Sequence, residues 1–198
     1  MAISVHLLKT AFTPSQLLSP PAQIVFAGRS NVGKSSLLNA LFGQKIAKTS
    51  ATPGKTQSVN YYEEPNSPCL LVDLPGYGYA RASREEQGRW STLLDAFFSQ
   101  SSTIHLCCVL LDARLAPQKN DLAMLDYARK KAVPLLGILS KCDKVGQGKM
   151  HACMRAWEPF FDQPLFPTSA RTKKGIGALE NFLRSEMLSF LPSSQEAL

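Results

Sequence analysis

The sequence predicts an α/β fold with a mostly parallel sheet of six strands, one of them antiparallel, and helices on both faces. Three observations predict this class. Short apolar runs alternate along the chain with segments in which apolar residues recur at helical spacing. The short runs are apolar at nearly every position, which is typical of strands covered on both faces. Polar motifs follow several of these runs, at the edge where an open parallel sheet binds its ligands.

The predicted elements follow one another in a regular order. Strands are predicted at 24–27, 59–62, 69–72, 105–111, 134–139 and 165–168. Helices are predicted at 34–42, 84–98, 120–131, 150–161 and from 176 to about 190. The link between the second and third strands is short and contains Pro65 and Pro68. These two strands are therefore predicted to be antiparallel neighbours.

The elements from 23 to 191 are predicted to form one domain between two short ends. The leading segment, 1–22, is expected to pack on this domain. It stops near Ser19-Pro20-Pro21, because proline cannot continue a helix or a central strand. Residues 192–198 are expected to be a frayed tail.

Composition excludes several classes of protein. The chain has 198 residues, 44% of them apolar, but no apolar stretch approaches the roughly 18 residues needed to cross a bilayer. The N-terminus lacks the basic flank and cleavage site of a signal peptide. The five cysteines are never spaced C-x-x-C, which argues against a disulfide framework or zinc site and favours the cytoplasm. A net charge of +7 favours a polyanionic partner, and we expect a monomer.

The first motif with a chemical role lies between a predicted strand and a predicted helix. Residues 28–35 match the phosphate-binding pattern G-x-x-x-x-G-K-[ST]. Gly28 and Gly33 let backbone N–H groups converge on phosphate oxygens, and the helix N-terminus adds partial positive charge. Lys34 is predicted to neutralise the β- and γ-phosphates during catalysis, and Ser35 to ligate Mg²⁺. The other residues predicted to contact the nucleotide here are Arg29, Ser30, Asn31, Val32 and Ser36.

Three further motifs follow predicted strands. Asp73-Leu74-Pro75-Gly76 offers a carboxylate near Mg²⁺ and a glycine N–H for the γ-phosphate. Ser140-Lys141-Cys142-Asp143 fits the guanine-reading pattern [NT]-K-x-D except at its first residue. Its carboxylate can accept hydrogen bonds from guanine N1–H and N2, which adenine cannot supply, although alone this motif is equally typical of a solvated charge pair. Thr168-Ser169-Ala170 can offer backbone N–H groups to guanine O6.

On these residues the chain resembles the translation-factor-like P-loop GTPases and, more narrowly, the EngB family. The resemblance rests on FAGRSNVGKSSLLN at 26–39, TPGKTQ at 52–57 and DLPGYGYA at 73–80. It implies a Ras-like fold and a slow GTPase that binds Mg²⁺ and converts GTP to GDP and phosphate. It also implies a nucleotide switch that acts on the rRNA and proteins of the large ribosomal subunit during its assembly. The family's role extends to normal cell division and septation.

The same resemblance implies two switches around the γ-phosphate. The polar loop 44–57 is interpreted as the first, with Thr56 as the second protein ligand to Mg²⁺ beside Ser35. Within that loop Gly54 and Lys55 are assigned to nucleotide binding, and Thr49 and Thr52 are rivals of Thr56. Residues 73–89 are interpreted as the second switch.

The residue after Gly76 is Tyr77 rather than the glutamine that orients water in Ras-like enzymes, so intrinsic hydrolysis is expected to be slow. Asn31 is a candidate catalytic helper, because some related GTPases hold K⁺ with an asparagine at this position. The alternative is a turn residue that tolerates positive φ. An arginine finger from Arg81, Arg84 or Arg89 is a further hypothesis, although solvated arginines at a helix start are commoner.

Basic residues are unevenly placed along the chain. No Asp or Glu precedes Glu63, whereas the following basic residues do: Lys9, Arg29, Lys34, Lys45, Lys48 and Lys55. Together with 129–131 and 171–174 they favour ribosomal RNA as the partner, though each single lysine is equally typical of a solubilising surface. Two other functions stay open: a nucleotide-gated binding module with negligible turnover, and another P-loop NTPase.

Overall fold

Seven strands form one sheet in the computed structural model, which describes residues 2–47, 58–78 and 84–190. The strands are β1 (His6–Ala11), β2 (Ala22–Gly28), β3 (Val59–Glu63), β4 (Cys69–Asp73), β5 (Ile104–Asp112), β6 (Leu135–Ser140) and β7 (Phe166–Pro167). Their order across the sheet is β1-β3-β4-β2-β5-β6-β7. Strand β3 is antiparallel to β1 and β4, and the remaining neighbours are parallel. The predicted α/β class, with one strand running against the others, is confirmed.

The sheet has one strand more than the six predicted, because the leading segment contributes β1 at its edge. Sequence periodicity missed this strand for a physical reason. Leu7 and Leu8 are 43% and 44% exposed, so apolar burial does not define the strand. Backbone pairing with β3 defines it instead, and the apolar positions of 3–8 are not recognised from sequence as part of a strand. Ile3, Val5 and Ala11 are nevertheless buried.

Helices cover both faces of the sheet, as predicted. They are α1 (Lys34–Phe42), α2 (Arg84–Phe98), α3 (Lys119–Lys130), α4 (Gln147–Trp157) and α5 (Ile176–Leu188). Helices α1 and α5 share one apolar core with the sheet, and α2, α3 and α4 share the other. Helix α4 begins earlier than predicted, after Gly146 in extended conformation, and gives way to a short 3₁₀ turn at Glu158–Phe160 that contains Pro159. No helix in the described ranges is long and apolar enough to cross a membrane.

Parallel pairing brings the ends of the central strands to one edge of the sheet. Phe26 in β2 is level with Asp73 at the end of β4, and Gly28 at the end of β2 is level with Leu110 in β5. Asp112 at the end of β5 is level with Ser140 at the end of β6. The carboxyl ends of four neighbouring strands therefore meet where the sequence motifs begin.

Candidate nucleotide-binding site

A cavity of about 560 Å³ lies at this edge and joins three of the four predicted motifs. Its walls come from the loop before α1, from the segment after β6 and from the segment after β7. The lining residues are Val32, Gly33, Ser36, Leu37, Arg114, Ser140, Lys141, Asp143, Lys144, Thr168, Ser169, Ala170 and Arg171. The cavity therefore lies beyond the carboxyl ends of the strands, where, from the sequence, an open parallel sheet is expected to bind its ligand.

The loop between β2 and α1 has the backbone that a phosphate cradle needs. Gly33 adopts φ 104° and Asn31 adopts φ 62°, both in the left-handed region. A Cβ on Gly28 would lie 2.9 Å from Val32 Cγ1 and 3.1 Å from Leu110 Cβ, so only glycine fits there. The positive φ of Asn31 is what the turn interpretation of that residue requires, and its side chain is exposed at the loop tip.

Lys34 and Asp73 connect the first and second motifs. The Lys34 ammonium contacts the Asp73 carboxylate, and both side chains are buried, at 8% and 3% exposure. Burial raises the pKa of Asp73, and the charge of Lys34 opposes that rise. Lys34 could attract a phosphate and Asp73 could attract a cation, but in this structure the two charges neutralise each other. Ser35 is partly buried and Ser36 exposed in the first turn of α1.

The segment after β4 runs alongside the phosphate-binding loop. Leu74 N–H donates to the Phe26 carbonyl at 3.0 Å, and Tyr77 N–H donates to the Gly28 carbonyl at 3.2 Å. Leu74, Pro75 and Gly76 are buried in this position. The first two motifs are thus held together by backbone hydrogen bonds as well as by the Lys34–Asp73 ion pair.

The guanine-reading motif is also tied to the phosphate-binding loop. The Ser140 hydroxyl donates to the Val32 carbonyl at 2.7 Å, and the Lys141 ammonium donates to the Asn31 carbonyl at 2.6 Å. The serine that departs from the family pattern therefore supplies a hydroxyl contact between two motifs. Lys141 has φ 59°, which turns the chain out of β6 and into the short turn that carries Asp143.

Asp143 accepts hydrogen bonds on both carboxylate oxygens from the fourth motif and its neighbour. Ser169 Oγ donates to Oδ1 at 2.7 Å, and Arg171 Nε donates to Oδ2 at 2.9 Å. These two donors lower the pKa of Asp143, Ser169 contributing more, so the group is a carboxylate at neutral pH. The backbone joins the same motifs, since Cys142 N–H donates to the Thr168 carbonyl at 3.0 Å.

Sequence reasoning missed Asp112 and Arg114, which form a hydrogen-bonded cluster with Lys141 of the third motif. Lys141 Nζ lies 2.9 Å from Asp112 Oδ2, and Arg114 donates to both Asp112 oxygens, through Nε at 2.8 Å and Nη2 at 2.7 Å. Burial opposes ionisation of Asp112, but these hydrogen bonds outweigh it and lower its pKa to about 2. The rule that polar residues at strand ends line the site would have found Asp112, because it is the last residue of β5.

Several predicted residues lie outside the described ranges. They are Gly54, Lys55 and Thr56 of the first switch, the rivals Thr49 and Thr52, and Arg81 of the second switch. The side chain of Arg84 is likewise not described. Arg89 lies on α2, 3.7 Å from Glu85 in an exposed ion pair.

Comparison with known proteins shows the family. A family model described as 50S ribosome-binding GTPase matches residues 23–141. A probable GTP-binding protein EngB of Desulfovibrio desulfuricans is 44% identical over 200 residues, covering 100% of both chains. A second, of Kosmotoga olearia, is 41% identical over 184 residues, covering 90% of this chain and 96% of the relative. The chain belongs to the EngB family of P-loop GTPases.

Solved structures agree with this assignment. A probable GTP-binding protein EngB superposes with TM-score 0.71 at 25% identity, over 85% of this chain and 100% of the other. Era of Aquifex aeolicus, solved with GDP and AlF₄⁻, superposes with TM-score 0.66 at 20% identity, over 89% of this chain and 58% of Era, which shows the fold alone. As an EngB-family GTPase, the protein binds GTP and hydrolyses it to GDP and phosphate.

Proposed function

We propose that this EngB-family GTPase is a nucleotide switch in the assembly of the large ribosomal subunit. The observation that carries the proposal is the full-length similarity to EngB proteins together with the match to a model described as 50S ribosome-binding GTPase. The charge is consistent with an RNA partner. Lys144 and Arg171 line the cavity, and the exposed Lys173 and Lys174 adjoin them, so GTP-dependent ordering would act next to a basic surface.

Sedimentation with purified large subunits tests this proposal. The protein should co-sediment more strongly with a non-hydrolysable GTP analogue than with GDP. Binding should weaken steeply as salt rises, because each neutralised phosphate releases counterions. Equal, salt-independent co-sedimentation in both nucleotide states would contradict the proposal.

Depletion of the protein in the cell is a second test. It should lower large-subunit levels in the cytoplasm before division and septation fail. A division defect with normal subunit levels would argue for a different role.

Guanine is proposed to bind between Asp143 and the Thr168-Ser169-Ala170 segment, with its phosphates at 28–36. Asp143 would exchange its Ser169 and Arg171 donors for guanine N1–H and N2. Lys34 would leave Asp73 for the β- and γ-phosphates. Calorimetry should then show tight binding of GDP and GTP but not of ATP, and displacement of bound GDP by ATP would contradict this assignment.

Mg²⁺ fits the oxygen donors released by that exchange. Ser35 presents a hydroxyl on the first turn of α1, and Asp73 presents a buried carboxylate whose described ion-pair partner is Lys34. Such hard oxygen ligands suit Mg²⁺, which usually binds through one or two protein groups plus phosphates. We propose Ser35 and Thr56 as its direct protein ligands, with Asp73 acting through water. When bound, Mg²⁺ would neutralise charge on the β- and γ-phosphates.

Intrinsic hydrolysis is proposed to be slow, because Tyr77 is buried at 5% exposure and occupies the position after Gly76. A tyrosine ring also lacks the amide donor and acceptor with which glutamine orients the attacking water in Ras-like enzymes. Asn31, exposed at the tip of the loop, is the candidate that would compensate by holding K⁺ beside the phosphates. Single-turnover hydrolysis should be faster in KCl than in NaCl, and Asn31→Ala should remove the difference. Identical rates in the two salts for the unaltered protein would refute the potassium hypothesis.

A further inference from the structure

Three side chains from different parts of the chain meet beside the phosphate-binding loop. Tyr77 Oη donates to Asp121 Oδ1 at 3.0 Å, and Arg29 Nε donates to the same oxygen at 2.9 Å. Asp121 and Tyr77 are buried, at 1% and 5% exposure, and the Arg29 side chain is 21% exposed. A carboxylate from α3 thereby links the loop after β2 with the segment after β4.

The backbone fixes the same three-way junction. Arg29 and Tyr77 form an isolated parallel β-bridge, in which Ser30 N–H donates to the Tyr77 carbonyl at 3.0 Å. Gly78 then turns with φ 80°, and a Cβ there would lie 2.9 Å from Asn120 Nδ2 and 3.6 Å from Arg29 Cγ. Tyr77 is therefore held by main chain and side chain alike, and a left-handed turn at Gly78 follows it directly.

Asp121 depends on both donors. Burial raises the pKa of Asp121, whereas the charge of Arg29 and the hydrogen bond from Tyr77 lower it. Without the Tyr77 hydroxyl, Oδ1 keeps Arg29 as its donor, and a buried carboxylate with fewer donors is less well stabilised in a low-dielectric interior. Removal of the Tyr77 hydroxyl should therefore loosen the contact between α3 and the segment that ends at Gly76.

We infer that Asp121 is a positioning residue, which acts through Tyr77 to hold Gly76 at the distance from the phosphate-binding loop that a γ-phosphate requires. The inference rests on the proposed contact between Gly76 N–H and the γ-phosphate. Since GDP has no γ-phosphate, the junction should affect GTP binding and leave GDP binding nearly unchanged. Under this inference Tyr77 helps to position Gly76. The glutamine at the same place in Ras-like enzymes has a different role, since it orients the attacking water.

Tyr77→Phe is the first test, because it removes one hydroxyl and keeps the ring. The affinity for a non-hydrolysable GTP analogue should fall roughly five- to tenfold, which is less than the full value of a hydrogen bond to a charged group because only part of that loss reaches the γ-phosphate contact. The affinity for GDP should change by less than about twofold. Tyr127→Phe is the control, since Tyr127 is a half-buried tyrosine on α3 that donates its hydroxyl to Asp95 on α2 at 2.6 Å, away from Asp121. It should leave both affinities unchanged.

Asp121→Asn and the double variant Tyr77→Phe/Asp121→Asn show whether the pair acts as a unit. If it does, the ratio of GTP-analogue to GDP affinity should be no lower in the double variant than in Asp121→Asn alone. Additive losses would overturn the inference, because they would mean that Tyr77 acts independently of Asp121.

Gly76→Pro separates this inference from the contact on which it rests, because proline removes the N–H that would meet the γ-phosphate. GDP affinity in the same variant reports whether it is folded. With GDP binding retained, an unchanged ratio of GTP-analogue to GDP affinity in Gly76→Pro would overturn the γ-phosphate contact and the inference with it. A lowered ratio in Gly76→Pro combined with an unchanged ratio in Tyr77→Phe would overturn only the positioning role of Asp121. A lowered ratio in both, with Tyr127→Phe unaltered, is the result expected.

Discussion

At the level of single residues, Asp143 accepts a separate donor on each carboxylate oxygen. The donors are Ser169 and Arg171. Arg171 is 66% exposed, and an exposed ion pair contributes little stability. If guanine binds at Asp143 as proposed, displacement of this arginine should therefore cost little.

The first prediction concerns this carboxylate. Asp143→Asn should lower the affinity for GDP roughly 100-fold or more, because an amide cannot accept both guanine donors. The affinity for xanthosine diphosphate should rise, since the amide donates where xanthine carries an oxygen. Competition calorimetry with both nucleotides measures the shift. Retention of the guanine preference by the variant would mean that the base is read elsewhere.

The second prediction concerns Asp112, whose pKa is lowered from 3.8 to about 2 in the folded protein. A depressed pKa stabilises the folded state above the unfolded pKa, and this contribution is lost as pH falls from about 4 to about 2. The free energy of unfolding of wild type should therefore exceed that of Asp112→Asn by a margin that shrinks by about 2 kcal/mol over this range.

Urea denaturation at several pH values measures that margin. Asp126→Asn is the control, because Asp126 forms an exposed ion pair with Lys130, 2.8 Å apart on α3. Its margin should stay within roughly 0.5 kcal/mol throughout. An Asp112→Asn margin that is the same at pH 5 and pH 2 would show that the ionised form is not favoured by folding.

The sequence was sufficient for residues that belong to contiguous motifs, because their spacing alone specifies a phosphate cradle or a base-reading turn. Asp112 and Asp121 could not be recognised in that way. Each is a single carboxylate without a spacing pattern. Asp112 contacts Lys141, which lies 29 positions along the chain, and Asp121 contacts Arg29, which lies 92 positions away. Only the register of the sheet and the packing of α3 bring these groups together.

At the level of elements, α5 begins after a constrained glycine, Gly175, close to the segment 168–171 that lines the cavity. Gly175 has φ +72°, and a Cβ there would lie 2.1 Å from the Pro167 carbonyl oxygen. Ser169 N–H donates to the Lys174 carbonyl at 2.9 Å, so a backbone hydrogen bond joins the turn before α5 to the segment after β7. The short strand β7, which the sequence predicts as 165–168, spans Phe166–Pro167 and pairs with β6.

The third prediction follows from that geometry. Gly175→Ala should destabilise the fold by about 2 kcal/mol or more, because it combines positive φ with a backbone clash. It should also weaken GDP binding. Gly177→Ala, two residues along, is the matched control, because a Cβ there meets nothing within 4 Å. That substitution should stabilise the protein by about 0.5 kcal/mol. Thermal unfolding of both variants decides the point, and equal effects would contradict it.

Element types were easier to predict than element ends. Helix α4 begins at Gln147, three residues before its predicted start at Met150, because Gly146 and Gly148 interrupt the polar stretch and obscure the first turn. Apolar spacing identifies the buried face of a helix but does not register exposed first turns. The strand β1 was missed for a related reason, as its pairing partner rather than its composition defines it.

At the level of the whole molecule, the leading residues complete the sheet through β1 and add to one of the two cores just before it. Ile3 and Val5 are 0% and 6% exposed and belong to the core that contains α1 and α5. The Arg184 guanidinium on α5 also donates to the Ala2 carbonyl at 2.9 Å. The leading residues are thus held by both the sheet and a distant helix.

The fourth prediction is that deletion of residues 2–13 destabilises the protein by about 3–6 kcal/mol, from the burial of Ile3 and Val5 alone. A typical domain has only about 5–15 kcal/mol of stability, so the shortened chain should unfold at much lower urea concentration. Phe12→Ser is the control, since Phe12 is 63% exposed and should shift the urea midpoint little. An unaltered midpoint after deletion would show that the remaining sheet is self-sufficient.

The outer border of the sheet is irregular at one point. The register of β1 against β3 shifts between Leu7 and Lys9, which leaves Leu8 without a counterpart in the ladder. A bulge of this kind interrupts the even row of amide and carbonyl groups that a second molecule would need as a template, and the lysine beside it repels an identical strand. We therefore expect two copies of this edge to pair poorly through their backbones, even though the apolar side chains of Leu7, Leu8 and Phe12 are exposed along or beside it.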